Sequence, residues 1–164
     1  MHMTNEELKV HCIQLLAKRG VQISDITELV FDLQLKYVPT LTKQICEDAV
    51  LRVLGKREAH YAILTGIELD MLAEKKMLSE PLQTLIQSDY PLYGIDEILV
   101  LSICNVYGSI GLTNFGYIDK LKPGIIGKVD KLGKVSGECH TFMDDIIGAI
   151  AAAAASSVAH NSVL

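Results

Sequence analysis

Apolar residues recur along this chain at helical spacing, in short runs separated by turn residues. Thr4 with Glu7 forms a capping box, which predicts a helix with Leu8, Cys12, Leu15 and Leu16 on one face and Gly20 as its stop. Ser24 is suited to cap a second helix with Ile26, Leu29, Val30 and Leu33 inward, ending at Val38-Pro39. Thr42 opens a third, with Ile45, Ala49, Val50 and Val53 inward, and the period runs on through Gly55 to Ile63, Ile67 and Met71. Ser79-Glu80-Pro81 puts Pro at the first position of a helix to about Gln87. Asp89 to Gly94 is turn-rich. Asp96 to Tyr107 reads as a helix broken by Gly108-Ser-Ile-Gly111, and Phe115 to about Lys122 as a short one ended by Pro123-Gly124. Residues 124–138 contain four Gly and read as loop with one helical turn; Thr141 heads a last helix to about His160. No alternating strand pattern and no long-period repeat is visible. The expected fold is all-α, one multihelical bundle over residues 1–164.

Composition supports that fold. Ala, Ile and Leu dominate, aromatics are few and Trp is absent, which favours helices packed by aliphatic side chains. A net charge of −5 leaves no basic footprint, so no nucleic-acid partner is expected. Residues 4–20 carry charges throughout, so no signal peptide is read and a cytoplasmic location is expected. Cys12, Cys46, Cys104 and Cys139 form no CxxC and read as reduced thiols, mostly buried. Ile98 to Ile118 holds 21 residues without a charge, long enough to span a bilayer. Gly, Ser, Thr and Asn interrupt it, and its strongly apolar part, Ile98–Tyr107, suits a buried helix of three turns. The expectation is a soluble protein.

The chemistry lies in two acidic pairs, each heading an apolar run: Asp96-Glu97 before Ile98-Leu99, and Asp144-Asp145 before Ile146-Ile147. Like charges about 4 Å apart repel by roughly 4 kcal/mol at an effective dielectric of ~20. Two such pairs invite a counter-ion, and a divalent cation is the natural one. The bland alternative is that both pairs are solvated helix starts, where the helix dipole favours acids. Between them, Asp119 and Lys122 stand three residues apart and share a helix face. They could complete a metal shell and hold an anionic oxygen, or form a plain surface ion pair.

The order of these residues resembles the phosphatidylglycerophosphatase A family. Asp89-Tyr-Pro-Leu-Tyr-Gly-Ile-Asp96-Glu97 is similar to the family's Asp placed seven residues before an Asp-Glu pair. Phe115-Gly-Tyr-Ile-Asp119-Lys-Leu-Lys122-Pro123 resembles its Phe-Arg-x-x-Asp-x-x-Lys-Pro segment, with Asp130 near the family's following Asp. Met143-Asp144-Asp145-Ile-Ile-Gly148 resembles its final Asp-Asp motif. The resemblance implies a magnesium-dependent phosphatase, with Mn²⁺ as the other candidate ion, that takes phosphatidylglycerophosphate to phosphatidylglycerol. It implies Asp96, Glu97, Asp119 and Asp145 as catalytic residues and Lys122 as the substrate ligand. Asp89, Asp96, Glu97, Asp144 and Asp145 are the implied metal ligands. It covers roughly residues 85–155; residues 56–160 read as the family-like region and 1–55 as a helical extension. The family's N-terminal Gly- and Pro-rich motif has no clear counterpart, and its Arg stands here as Gly116.

The implied partner is a phosphorylated lipid or another phosphate ester, with peripheral membrane contact. Gly148 and Ala149–Ala155 suit close approach of another helix, within the chain or from a second copy, and a homo-oligomer is expected. His140 reads as a structural hydrogen-bonding residue or a metal ligand, and His60 as a core or surface residue. Gly108-Ser109-Ile110-Gly111 reads as a helix stop or an amide nest for phosphate. Two other readings of the whole chain stand beside the phosphatase: a non-catalytic metal or phosphate binder, and an acidic interaction module.

Overall fold

In a computed structural model that describes residues 3–162, the chain is one all-α domain, with no strand among those residues. Its helices are α1 (Asn5–Lys18), α2 (Ile23–Gln34), α3 (Lys43–Val53), α4 (Arg57–Glu74), α5 (Leu82–Gln87), α6 (Ile95–Cys104), α7 (Gly108–Leu121), α8 (Ile125–Val135) and α9 (Met143–Asn161). A 3-10 turn, Asn105–Tyr107, joins α6 to α7. The helix α9 forms the axis of the bundle: α2, α3, α4, α6, α7 and α8 all pack on it. From Met143 through Ser156 every residue of α9 is buried, including the whole Ala149–Ala155 run. Small side chains on all faces let the surrounding helices approach closely. The run is therefore consumed inside the chain and offers no seam to a second copy.

Several boundaries differ from those the pattern predicts. The capping box at Thr4 is present, with Glu7 N–H donating to Thr4 Oγ1 at 3.2 Å. The second helix is capped by Gln22 rather than Ser24, with Gln22 N–H donating to Asp25 Oδ2 at 2.8 Å. α3 and α4 are separate helices, because the chain turns at Gly55 and is extended at Lys56. Ile45 is 43% exposed rather than inward. Pro81 caps α5 instead of opening it. Residues 124–138 are largely helical: Ile126 and Val129 give α8 a buried face. Gly127 belongs to that packing, since a Cβ there would stand 2.6 Å from the Lys122 carbonyl oxygen.

The largest difference concerns Ile95 to Leu121, which is long and apolar enough to cross a membrane. A straight helix of that length would put its ends about 40 Å apart. Here Asp96 near its start and Lys122 just past its end line one cleft, so the segment doubles back. Gly108 makes the reversal with φ +74 and then opens α7. Gly111 lets the two arms meet: a Cβ there would lie 3.0 Å from the Cys104 carbonyl oxygen. The helical arm from Ile95 stops at Tyr107 as the pattern predicts, and these glycines turn the stop into a hairpin, with α7 starting seven residues before Phe115. Nor is α6 a buried helix, since Ile98 is 63% exposed.

Asp70, wholly buried on α4, caps the axial helix. It accepts the Phe142 N–H at 3.1 Å and the Met143 N–H at 3.0 Å. Thr141 instead donates its hydroxyl to the Ile86 carbonyl at 2.6 Å. Arg19 and Glu74, paired at 2.6 Å, hold the preceding loop through the Cys139 carbonyl and N–H. The α4–α9 contact also depends on Gly66, where a Cβ would meet Ile146 Cδ1 at 2.8 Å and Phe142 Cβ at 3.0 Å. Gly66→Val is therefore expected to lose about 2 kcal/mol or more through overpacking. Gly116→Ala, with open space around its helical position, should gain up to ~1 kcal/mol. Thermal melts of the two variants check this: Val should lower the midpoint and Ala should raise it. An unchanged midpoint for Gly66→Val would remove the close contact from the account.

Candidate functional site

Three helix ends and one loop meet at a cleft of about 260 Å³. The first turn of α6 brings Asp96 and Glu97, entered through Gly94 at φ +72. The last turn of α7 brings Asp119, and Lys122 follows as its left-handed C-cap at φ +45. The first turn of α9 brings Asp144 and Asp145. The loop Asp89–Gly94 forms the rim and is pinned by Tyr93, whose ring meets Phe142 edge-on at 6.2 Å. All seven residues singled out from the sequence line this one cleft, although 46 residues lie between the two acidic pairs. Each acidic pair sits at a helix N-terminus, where unpaired backbone N–H groups favour negative charge.

That local support does not neutralise the group. The cleft holds six carboxyl groups against one ammonium. Lys122 Nζ donates to Asp144 Oδ2 at 2.6 Å and to Asp119 Oδ1 at 3.2 Å, tying α7 to α9. Burial works against the Lys122 charge, but Asp144 and Asp119 outweigh it and hold its pKa above the usual lysine value. Burial pushes Asp144 up to about 6, with Lys122 opposing and Asp89 and Asp130 adding to the rise. Burial, then the charges of Asp144, Asp119 and Asp96, push Asp145 up to about 10. Asp96 and Glu97 are raised by burial and by neighbouring acids. Asp96 Oδ1 and Asp145 Oδ1 are buried without a hydrogen-bond partner. Buried polar atoms are ordinarily paired, so these two oxygens are open to a partner from outside the chain.

Among the described residues, no three carboxylate, imidazole or thiolate side chains already enclose a common point as an ion requires. In donor chemistry the set still fits a hard divalent cation: oxygen ligands only, excess negative charge and two free lone-pair sets. His140 lies outside it, hydrogen-bonded through Nε2 to Glu138 at 2.6 Å and through Nδ1 to Arg19 at 3.3 Å. His60 is a core residue, bonded to the Leu54 carbonyl at 2.6 Å. All four cysteines are free and buried. Asp130 pairs with Lys134 at 2.9 Å and lines an adjoining cleft of about 270 Å³ that shares Asp89. Asp70, the positioning residue beneath α9, escaped the sequence reading, because its partners are 72 and 73 residues away.

The sequence pattern of phosphatidylglycerophosphatase A matches residues 13–160. The chain belongs to the phosphatidylglycerophosphatase A family. The match takes in α2 and α3 as well as the acidic motifs. Bacillus subtilis YutG, itself uncharacterized, is 61% identical over 147 residues, covering 90% of this chain and 87% of YutG. The crystal structure of Bacillus subtilis YpjQ superposes with a TM-score of 0.91 at 55% identity, covering 97% of each chain. That of the low temperature requirement C protein from Listeria monocytogenes gives 0.89 at 55% identity, over 96% of this chain and 98% of the other. The family relation thus includes the N-terminal helices as well as the rest of the bundle.

A pH dependence follows. Asp144 and Asp145 are raised in the folded state above the ~3.9 of an unfolded Asp. Between those values the folded chain binds more protons than the unfolded one, so stability falls as pH rises. In chelator, the melting midpoint of this protein should fall steadily from about pH 5 to about pH 8. Asp145→Asn, which has no charge to form, should flatten the slope. A wild-type midpoint that is level or rising over that range would contradict the burial of these acids.

Proposed function

We propose that the protein is a divalent-metal-dependent phosphatase acting on a phosphate monoester, with phosphatidylglycerophosphate as the substrate its family indicates. Family membership supports hydrolysis. The observation that carries the metal is the pair of partnerless buried oxygens, Asp96 Oδ1 and Asp145 Oδ1, in a cleft with six acids. Asp96 and Asp145, with Asp144, Glu97 and Asp89, would hold Mg²⁺ or Mn²⁺. A bound ion of this kind supplies charge to the phosphoryl oxygens and lowers the pKa of a water. Lys122 is the substrate ligand, its ammonium acting as a point charge for a phosphate oxygen. Asp119 keeps that ammonium oriented through the 3.2 Å contact and, open to solvent, is the base that takes the proton of the attacking water. The rim loop covers one side of the cleft and limits water there.

The test is phosphate release with and without divalent ions. Mg²⁺ or Mn²⁺ should be required, and both Asp96→Asn and Asp145→Asn should abolish most turnover, since each keeps shape but removes charge. Lys122→Ala should raise KM at least as much as it lowers kcat, because it removes a contact shared by ground and transition states. The ions should also raise the wild-type melting midpoint, by ~2.7 kcal/mol of added stability at a hundredfold excess over Kd, with Asp144→Asn losing most of the shift. Metal-dependent stabilisation without phosphate release from any ester would leave a non-catalytic binder. Absence of both would leave an acidic interaction module.

A further inference from the structure

The charge of the chain is unevenly placed. Residues 120–135 carry five lysines and one aspartate inside a protein of net −5; Lys122 is paired in the cleft and Lys134 with Asp130, while Lys120, Lys128 and Lys131 make no ion pair among the described residues. Most of this segment is α8, whose inner face buries Ile126 and Val129. Its outer face shows Lys128, Lys131, Leu132 and Val135, the last 81% exposed. Asp130, its acid, is tied up by Lys134. The apolar face of α8 is used inside the bundle, so it is this outer face, with two lysines beside exposed aliphatic side chains, that can rest on an anionic surface, each lysine there adding attraction. Across the two clefts, which meet at Asp89, the rim presents Tyr90 and Leu92 to solvent, Leu92 fully and at a left-handed φ of +66. Tyrosine and leucine at the lip of a polar cleft suit the headgroup level of a bilayer.

We infer that the outer face of α8, with the Tyr90–Leu92 rim, seats this protein on an anionic bilayer surface, so that a headgroup phosphate reaches the cleft without its lipid leaving the membrane. This rests on reading the substrate as a phosphorylated lipid. The charge complementarity selects the occupant. A second copy carries net −5 overall but would bring its own α8 lysines, whereas a bilayer of anionic lipid offers negative charge and an apolar layer together. The chain has no need to span it, since the apolar stretch Ile95–Leu121 is folded back on itself.

The experiment is flotation of the full-length protein with vesicles, in chelator and with no substrate. Phosphatidylcholine vesicles are compared with phosphatidylcholine–phosphatidylserine vesicles. Binding should need the anionic lipid and weaken with salt. Lys128→Gln with Lys131→Gln should weaken it about thirtyfold, at ~1 kcal/mol for each lysine removed, with an unchanged melting midpoint and unchanged hydrolysis of a soluble monoester. Leu132→Ser with Val135→Ser should weaken binding to the same vesicles by tenfold or more. No binding by the wild type, or full binding by the lysine pair, overturns the inference. So does an oligomer that Leu132→Ser with Val135→Ser converts to monomer while vesicle binding persists, because a second copy then covers the face. The two proposals fail separately: vesicle binding without phosphate release from any ester leaves the docking face standing and removes the phosphatase.

Discussion

An axial helix that is apolar on every side begins with two buried carboxyl groups, and the rest of the structure is arranged around that conflict. Burying the Ala-rich body of α9 gathers six helices around it, which is what makes a single core from short segments. The same burial draws Asp144 and Asp145 out of water. An isolated buried carboxylate costs several kcal/mol, and two adjacent ones cost more. The fold meets this with three devices: the positive end of α9, the ammonium of Lys122, and raised pKa values that keep part of the charge off. None of the three fully satisfies the group, because Asp145 Oδ1 remains without a partner.

The position of those acids is over-determined from behind. Asp70 holds the N-terminus of α9 through the N–H groups of Phe142 and Met143, one residue before Asp144. Arg19 and Glu74 hold the loop before that, and Tyr93 couples the rim to Phe142. A site built at a helix start needs such support, since helix ends fray. Here α1, α4 and the rim contribute to fixing a single turn of backbone. The placement of the acidic pair therefore depends on residues such as Asp70 and Gly66 that do not line the cleft.

What could be read from the sequence follows from where the physical signal lies. The acidic pairs were legible because adjacent like charges beside apolar runs are costly enough to need a reason. Asp119 and Lys122 were legible because three residues on a helix put them together, and Thr4–Glu7 because a capping box is local. Asp70 was not, since a cap contributed from another helix leaves no mark near the helix it caps. Helix α8 and the start of α7 were hidden by glycine. Gly108 has the left-handed φ that a turn requires, but Gly111 and Gly127 serve close packing, which sequence pattern alone does not separate from chain breaking. The segment Ile95–Leu121 shows the same ambiguity at larger scale: length and apolarity match a membrane span, the Gly108–Gly111 break marks two helices in the sequence, and the meeting of its two ends at one cleft shows that they form a hairpin.

Charge also constrains what the cleft can accept. A phosphate monoester, the substrate proposed above, carries about −1.5 to −2 at neutral pH. The cleft has six acids and a single ammonium, and that ammonium is already bound to Asp144 and Asp119. Attraction to Lys122 alone cannot offset repulsion from the remaining carboxylates at these separations, where each like pair costs several times the thermal energy. On the reading proposed above, a divalent ion held by these acids would offset that repulsion, and Lys122 would be the cation left to face a phosphate oxygen. What the chain itself supplies is the partly buried Lys122, whose two ion pairs join the end of α7 to the start of α9 and so keep Asp119 with Asp144 and Asp145 lining one cleft.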